Sequence, residues 1–600
     1  MKYYENKGRF SLGEIDPPLC FRVDTEIPNK GLAYLENGLI TSSAGITNFP
    51  ALEKIATIQA IINRAAINAF KLFKYVIQKK DTSLSGYLFL FTELKVFILR
   101  QDNFQKIKEI DVNYTEEEVR NLSIAQFQNS VIMCVANKKP EMIRVTEDSQ
   151  EFDVVEYWEN IVNPPVKRVE TQYQYTDSEK QVFIWYQSGA SVVFESTISS
   201  PVFKPAFLDK LKEGTIGYMA GEFRINKIEG RDGKQKITTT QVTAPATGID
   251  IPTSSTPEEE KKINILDITF SESLFNGGYP AVVAEYKGRV IFGNVAGNPS
   301  AIVSSRVYDS LNFRQSTDPN DGFTTFVTGN EVNTVKEFIA YKSLIAITDK
   351  GIYSTQLNEA LTTETSAFYD QKLPRPKGLG YWTEADDAIY YVDSSNRIYQ
   401  IQDVGADSAY VVQEITLYSS HLMTDINDIF FYKLGKRNLI GVDTVEGNRA
   451  FAYDYSENIL CWTRVPKIPG INEYLNIDDK IYVFNINGNN IDIYTYSDTK
   501  VEPLKFILPK TTMSQKFQMP IPEFLMKAKF KNCKILCYGN YDLKINNQTK
   551  SVGFGEKTNK FYEKIHYIDM ANVGQETLIV EQLNKEKIEI VGIFAEIGVW

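Results

Sequence analysis

A mainly β fold with a β-propeller-like core of short antiparallel sheets is what this 600-residue chain predicts. Three observations carry it. First, strand pairs with hairpin turn chemistry recur from end to end. Tyr87–Phe91 precedes Val96–Leu99, Ser130–Val135 precedes Met142–Val145, and Val182–Tyr186 turns at Ser188-Gly189 into Val192–Phe194. Leu344–Thr348 turns into Ile352-Tyr353, Ile389–Val392 into Ile398-Tyr399, and Ile481–Phe484 into Ile491–Tyr494. Second, the 34 Tyr and 35 Phe exceed what a helical bundle needs, and aromatics favour strands. Third, second strands end in Tyr353, Tyr399, Tyr453 and Tyr494, at intervals of about 40 to 55 residues, near the blade period of propellers. No WD or kelch signature fixes a blade number, and a pair of β-sandwiches stays open as an alternative.

Taken in order, residues 1–80 read as an irregular docking segment. Gly13, Pro17, Pro18, Pro28, Gly31 and Gly38 lie too close together for a long helix. Arg22 near Asp24 suits a charge-assisted pin on such a segment. Ile55, Ile58, Ile61, Ile62 and Ala65 have helical spacing and predict a helix over 52–66, followed by a strand at Phe70–Val76. Residues 81–199 hold the first propeller-like strand pairs. Residues 200–275 read as an inserted small β module with a flexible polar loop at 232–262, rich in Thr and Pro and carrying Glu258-Glu-Glu260 beside Lys261-Lys262. Residues 276–504 carry the remaining pairs, and 505–600 form a C-terminal β unit. There Lys527, Lys529 and Lys531 fall on one strand face, as a phosphate-facing stripe or as guards of a solvated edge.

The apolar share of 43% supports an ample core, and the length suits about four domains or fewer large β ones. The net charge of −11 is poorly suited to gripping nucleic acid, which works by neutralising phosphates. Cys20, Cys134, Cys461, Cys533 and Cys537 form no paired framework and suit a reducing cytosol. Cys533 and Cys537 with His566 are too few and too widely spaced for a zinc site. No signal peptide follows Met1, and no run reaches the ~20 apolar residues of a membrane span. With only His421 and His566 and no nucleophile elbow, no catalytic set emerges, and no cofactor or metal is expected. Ser316–Gly322 reads as an Asp/Asn turn, without the Trp of a sialidase Asp-box or the closing Glu of a calcium loop.

Two ordered sets of residues resemble one family. The first runs Phe10-Ser-Leu-Gly13-Glu14, Pro17, Arg22-Val-Asp24, Asn37, Gly45 and Pro50. The second runs Pro280, Arg289, Phe292, Pro299, Ser305-Arg306, Asp309 and Asn312-Phe313. Together they are similar to the tail nozzle proteins of short-tailed bacteriophages, the tail tubular protein B-like family. Departures are Asp16 before Pro17, Asn48-Phe49-Pro50-Ala51 for "R-P-G", Gly288 for Gln and Gly293-Asn294 for Ala-Gly. The matches are scattered over roughly the first 60% of the chain, and their specificity lies in their order.

The resemblance implies a structural virion protein made in the host cytoplasm, a homo-hexameric ring below the adaptor and portal. Its lumen would pass genomic DNA without tight binding. Other partners would be tail fibres or other distal tail proteins, and the host envelope during infection. The alternatives are a carbohydrate-binding or depolymerising β-propeller and a cellular propeller scaffold. A clustered carboxylate pair would favour the sugar-acting reading. On the residues alone, Arg306 has two readings: a local loop clamp with Asp309 or a contact with another chain.

Overall fold

A computed structural model describes residues 3–599 except 7–9, 22–26, 42–44, 60–66, 79–83, 147–150, 170–182, 200–201, 205–215, 219–221, 231–233, 242–250, 254, 258–260, 264–268, 276–277, 317, 330–331, 357–360, 363–364, 404–409, 436, 455–458, 471, 478–479, 489, 509–527, 540, 547, 553–565 and 576–577. The chain divides into two compact units: 1–121 with 347–352 and 370–600, and 122–346 with 353–369. Among the described residues, six four-stranded antiparallel sheets and one four-strand meander within an eleven-stranded sheet follow one another, each of the propeller-blade kind. In chain order they are blade I (70–111), II (123–155), III (280–326), IV (335–370), V (382–414), VI (426–465) and VII (472–501 with 50–59). The fold is therefore mainly β and β-propeller-like, with an inserted β module and a C-terminal β unit.

The second strands explain why short apolar runs recur. Ser130–Cys134, Leu344–Thr348 and Ala388–Val392 are buried along their whole length, so both faces must be apolar. Tyr353, Tyr399, Tyr453 and Tyr494 all fall on the third strand of their blades. In the first unit, Tyr390 of blade V packs with Ile440, Phe451 and Trp462 of blade VI. Phe430 and Tyr432 of blade VI meet Ile481 and Tyr496 of blade VII. Phe484 and Ile491 of blade VII meet Leu88 and Phe97 of blade I. Each such fully buried side chain contributes about 1.5–3 kcal/mol.

Blade VII is completed by the strand Pro50–Gln59, which pairs antiparallel with Asn490–Val501. The expected helix over 52–66 is thus a strand over its first part, and 60–66 lie outside the described residues. The register slips where Lys54 meets Tyr494 and Ala56 meets Ile493, which leaves Ile55 as a bulge. That extra residue breaks the two-residue alternation and produces the three-residue spacing of Ile55 and Ile58.

Residues 10–48 bind this unit together. Gly13-Glu14 lies parallel to Gly31-Leu32 and to Ile459–Val465 of blade VI. Tyr34–Glu36 extends blade VI and pairs with Lys505–Ile507, which pairs in turn with Ile579–Gln582. Gly38–Ile40 and Ile46–Asn48 join the C-terminal sheet through Ile588–Val599. So 1–80 is not one docking segment: it supplies strands to blade VII, to blade I and to the C-terminal unit. The lysine stripe is corrected too. Ala528–Gly539 is an interior strand between His566–Gln575 and Ile588–Val599, not an edge. Its register slips between Phe530 and Asn532, so plain alternation does not carry across Lys531; Lys527 lies outside the described residues.

In the second unit, blades II and III share a core of Phe127, Ile132, Val283, Phe292 and Phe313 despite the insertion between them. Blades III and IV share Val282, Ile302, Phe338 and Leu344. The inserted sheet has eight strands and begins at Val166–Val169, earlier than residue 200. The hairpin of Phe183–Ser188 and Ser191–Ser196 belongs to it, because Ser191–Ser196 pairs with Lys236–Gln241. The expected loop 232–262 therefore contains a strand, with Thr239 buried and its hydroxyl donating to the Val192 carbonyl at 2.8 Å; 242–250 and 258–260 lie outside the described residues.

Candidate functional site

Many of the described residues that carry the resemblance gather into two clamps, one in each unit. In the first, Gly13 adopts φ +62°, and a Cβ there would lie 2.3 Å from the Cys461 sulfur. Only glycine lets the backbone run this close to blade VI. Glu14 follows, 1% exposed. Its carboxylate accepts from Arg464 Nη2 at 2.7 Å and Nε at 3.1 Å, from the Leu35 amide at 2.8 Å, and faces His421 Nε2 at 3.0 Å. Asp16 faces His421 Nδ1 at 2.6 Å and accepts from the His421 amide and the Ser420 hydroxyl, each at 2.9 Å. Pro17 opens the short 3₁₀ turn Pro17–Phe21. Arg464 also lies over the Tyr34 ring at 4.9 Å.

Burial alone would raise the Glu14 carboxyl, but the bonds from His421 and Arg464 outweigh it and hold Glu14 below the usual range. Asp16 is likewise lowered against its partial burial, chiefly by the backbone and side chain of His421. Burial would lower His421, yet its bonds to Glu14 and Asp16 raise it above its ordinary value. Sequence reasoning missed His421 and Arg464 because they stand more than 400 residues from their partners.

Asn37 sits at φ +56° and donates from Nδ2 to the Pro503 carbonyl at 3.0 Å, with its amide on the Arg464 carbonyl at 2.8 Å. Gly45 closes a tight loop with Thr41, and Pro50 pairs with Val501. Asn48, one of the family departures, donates to the Glu502 carbonyl at 2.9 Å and accepts from the Ile588 amide at 2.7 Å. Arg22 and Asp24 lie outside the described residues.

The second clamp fills the connection between the third and fourth strands of blade III. Arg289 is 2% exposed. Its guanidinium donates to the carbonyls of Ser305 and Asp321 at 2.8 Å and of Pro319 at 2.5 Å. Ser305 Oγ accepts from the Val290 amide at 3.0 Å and donates to the Arg306 carbonyl. Arg306 and Asp309 form a backbone bridge, but the Arg306 side chain pairs with Asp321 at 3.6 Å. Arg314, at 3.4 Å, and the Ser316 hydroxyl, at 2.7 Å, also engage Asp321. Asn312 exchanges backbone bonds with Arg306 and Asp309, while Phe313 stacks on Phe292 at 5.5 Å. Pro280 begins the first strand of blade III and Pro299 lies in its third.

One pair of carboxyls stands apart. Asp428 and Glu473 lie on the first strands of blades VI and VII, both half-buried. Burial and the charge of Glu473 push Asp428 well up, and burial pushes Glu473 to about 7 against the pull of Lys71. Among the described residues no group of three His, Cys, Asp or Glu is placed to hold a metal ion.

No known family matches the chain, and no curated protein matches it. Among solved structures it is similar to BBS1N in complex with ARL6DN, at 10% identity and TM-score 0.35, over 75% of this chain and 98% of that one. It is also similar to the β-propeller domain of Myceliophteria thermophila Cps50 (Swd1), at 9% and 0.33, over 74% and 100%. Kluyveromyces lactis Hsv2p is similar at 12% and 0.26, over 66% and 96%.

Proposed function

We propose that this chain is a structural subunit of the tail nozzle of a short-tailed bacteriophage, a ring of about six copies below the adaptor through which DNA leaves the head. The number of copies comes from the family resemblance. The reading is supported chiefly by what the resembling residues do: Glu14 and Arg289 are buried and their charges are fully engaged by the chain's own groups. Residues spent in this way hold a scaffold rather than turn over a substrate. The protein then acts by shape, as a β wall around passing DNA, with adaptor, fibres and host envelope as its contacts.

The Asp428–Glu473 pair is the observation that favours a second reading, a sugar-acting propeller, since a carboxyl held protonated well above its usual range can serve as a general acid. Imaging and proteomics of purified virions decide between them. This chain is expected in the tail as a ring. Its absence from the tail, together with polysaccharide cleavage lost in Glu473→Gln, would replace the nozzle by the enzyme.

A further inference from the structure

We propose that His421 is a proton-operated latch: as an imidazolium held between Glu14 and Asp16 it fastens residues 10–21 to the turn Ser420–Leu422 that leads into blade VI, and loss of that proton frees them. The geometry requires the charged ring. Both ring nitrogens face carboxylate oxygens, at 2.6 Å and 3.0 Å. A neutral imidazole has one N–H, so its other nitrogen would turn a lone pair toward a carboxylate. The segment's other ties converge on the same stretch. The Asp16 amide donates to the Tyr418 carbonyl at 2.7 Å, and the Ser419 hydroxyl donates to the Glu14 carbonyl at 2.6 Å.

The charged and titratable groups around the latch come from four elements. Glu14 and Asp16 lie on the segment itself. Arg464 is on the fourth strand of blade VI, with Arg449 and the nearby Glu446 on and before its third. Tyr34 stands over Arg464 and donates to Glu36. Arg464 keeps its charge throughout and holds Glu14 whatever His421 does. Among the described residues His421 is the cation on Asp16, so the Asp16 end opens first.

The sign follows from linkage. His421 is raised in the folded state, so its contribution is complete below its unfolded value of 6.5 and is lost as pH rises through the folded value. Between those values docking takes up a proton, and the opening constant climbs by up to about tenfold per pH unit. Glu14 and Asp16 are lowered, so their contribution is complete above their unfolded values and is lost as pH falls through the folded ones. The latch is thus fully closed at mildly acidic pH, below 6.5, and opens as pH rises through the raised value of His421. This holds whether or not the chain is a nozzle subunit.

The chain has two histidines, so His566→Gln leaves one signal in a ¹⁵N-histidine spectrum. Both His421 nitrogens should stay protonated above pH 6.5, and the opening of 10–21, read by hydrogen exchange corrected for its intrinsic pH dependence, should rise with deprotonation. Asp16→Asn should bring the His421 titration down and flatten the exchange profile. Ser420→Ala, which removes one hydrogen bond from an uncharged donor to the Asp16 carboxylate, should loosen the segment equally across the pH range in which Asp16 stays ionised. A His421 that titrates at or below 6.5, or exchange of 10–21 that does not change across its titration, overturns the latch.

Discussion

Gly13, Arg289 and Arg449 show three different ways a single residue is constrained. At Gly13 a side chain meets both a left-handed backbone and the Cys461 sulfur at 2.3 Å. Gly13→Ala should cost about 2–5 kcal/mol, adding backbone strain to overpacking, as read by denaturant unfolding. Arg289 satisfies buried carbonyls of Ser305 and Asp321. Arg289→Met should cost about 3 kcal/mol, and Arg289→Lys should rescue little, because an ammonium cannot span the same fork. Arg449 is the opposite case. It lies directly across the strands from Arg464, is 3% exposed, and its Nε and Nη2 have no hydrogen-bond partner among the described residues. Its nearest carboxylate, Glu446, is 3.7 Å away. Arg449→Met should leave the melting temperature unchanged or raise it, since it removes a desolvated, like-charge neighbour. A clear drop would mean that a buried water or anion pairs with Arg449.

At the scale of elements, the strand Pro50–Gln59 separates what sequence can say from what pairing decides. Ile58 is buried in the core between blades VII and I, whereas Ile55 is 47% exposed at the bulge. Ile58→Ala should cost about 2–4 kcal/mol, while Ile55→Ala should change stability by well under 1 kcal/mol. Equal losses, as two residues on one helical face would give, would contradict the strand. The hairpins were legible because turn residues and apolar runs are local. The partners of those hairpins were not. Phe183–Ser196 looks like a blade hairpin, and only its pairing with Lys236–Gln241 places it in the inserted sheet. The clamps divide in the same way. Gly13, Glu14, Arg289 and Ser305 stand out by motif, but His421 and Arg464 carry no local signal. They become part of the site only when the fold returns blade VI and the turn before it to the N-terminal segment.

For the molecule as a whole, the decisive quantity is a net charge of −11. Affinity for a polyanion grows with each phosphate neutralised, and a wall that holds DNA would stall it. An acidic wall repels phosphates only within about 8 Å at physiological salt, which keeps DNA hydrated and moving without excluding it. The passive role proposed for this chain therefore requires weak binding without sequence preference. Lys527, Lys529 and Lys531 are the feature of the sequence that opposes it. Lys529 and Lys531 lie on an interior strand whose register slips at Lys531, which argues against a continuous phosphate-matching stripe. Fluorescence anisotropy with duplex DNA at physiological salt should show no sub-micromolar binding, and changing the three lysines to Glu should alter nothing. Sub-micromolar affinity abolished by those three changes would mean that the chain grips DNA, and the passive conduit would have to be given up.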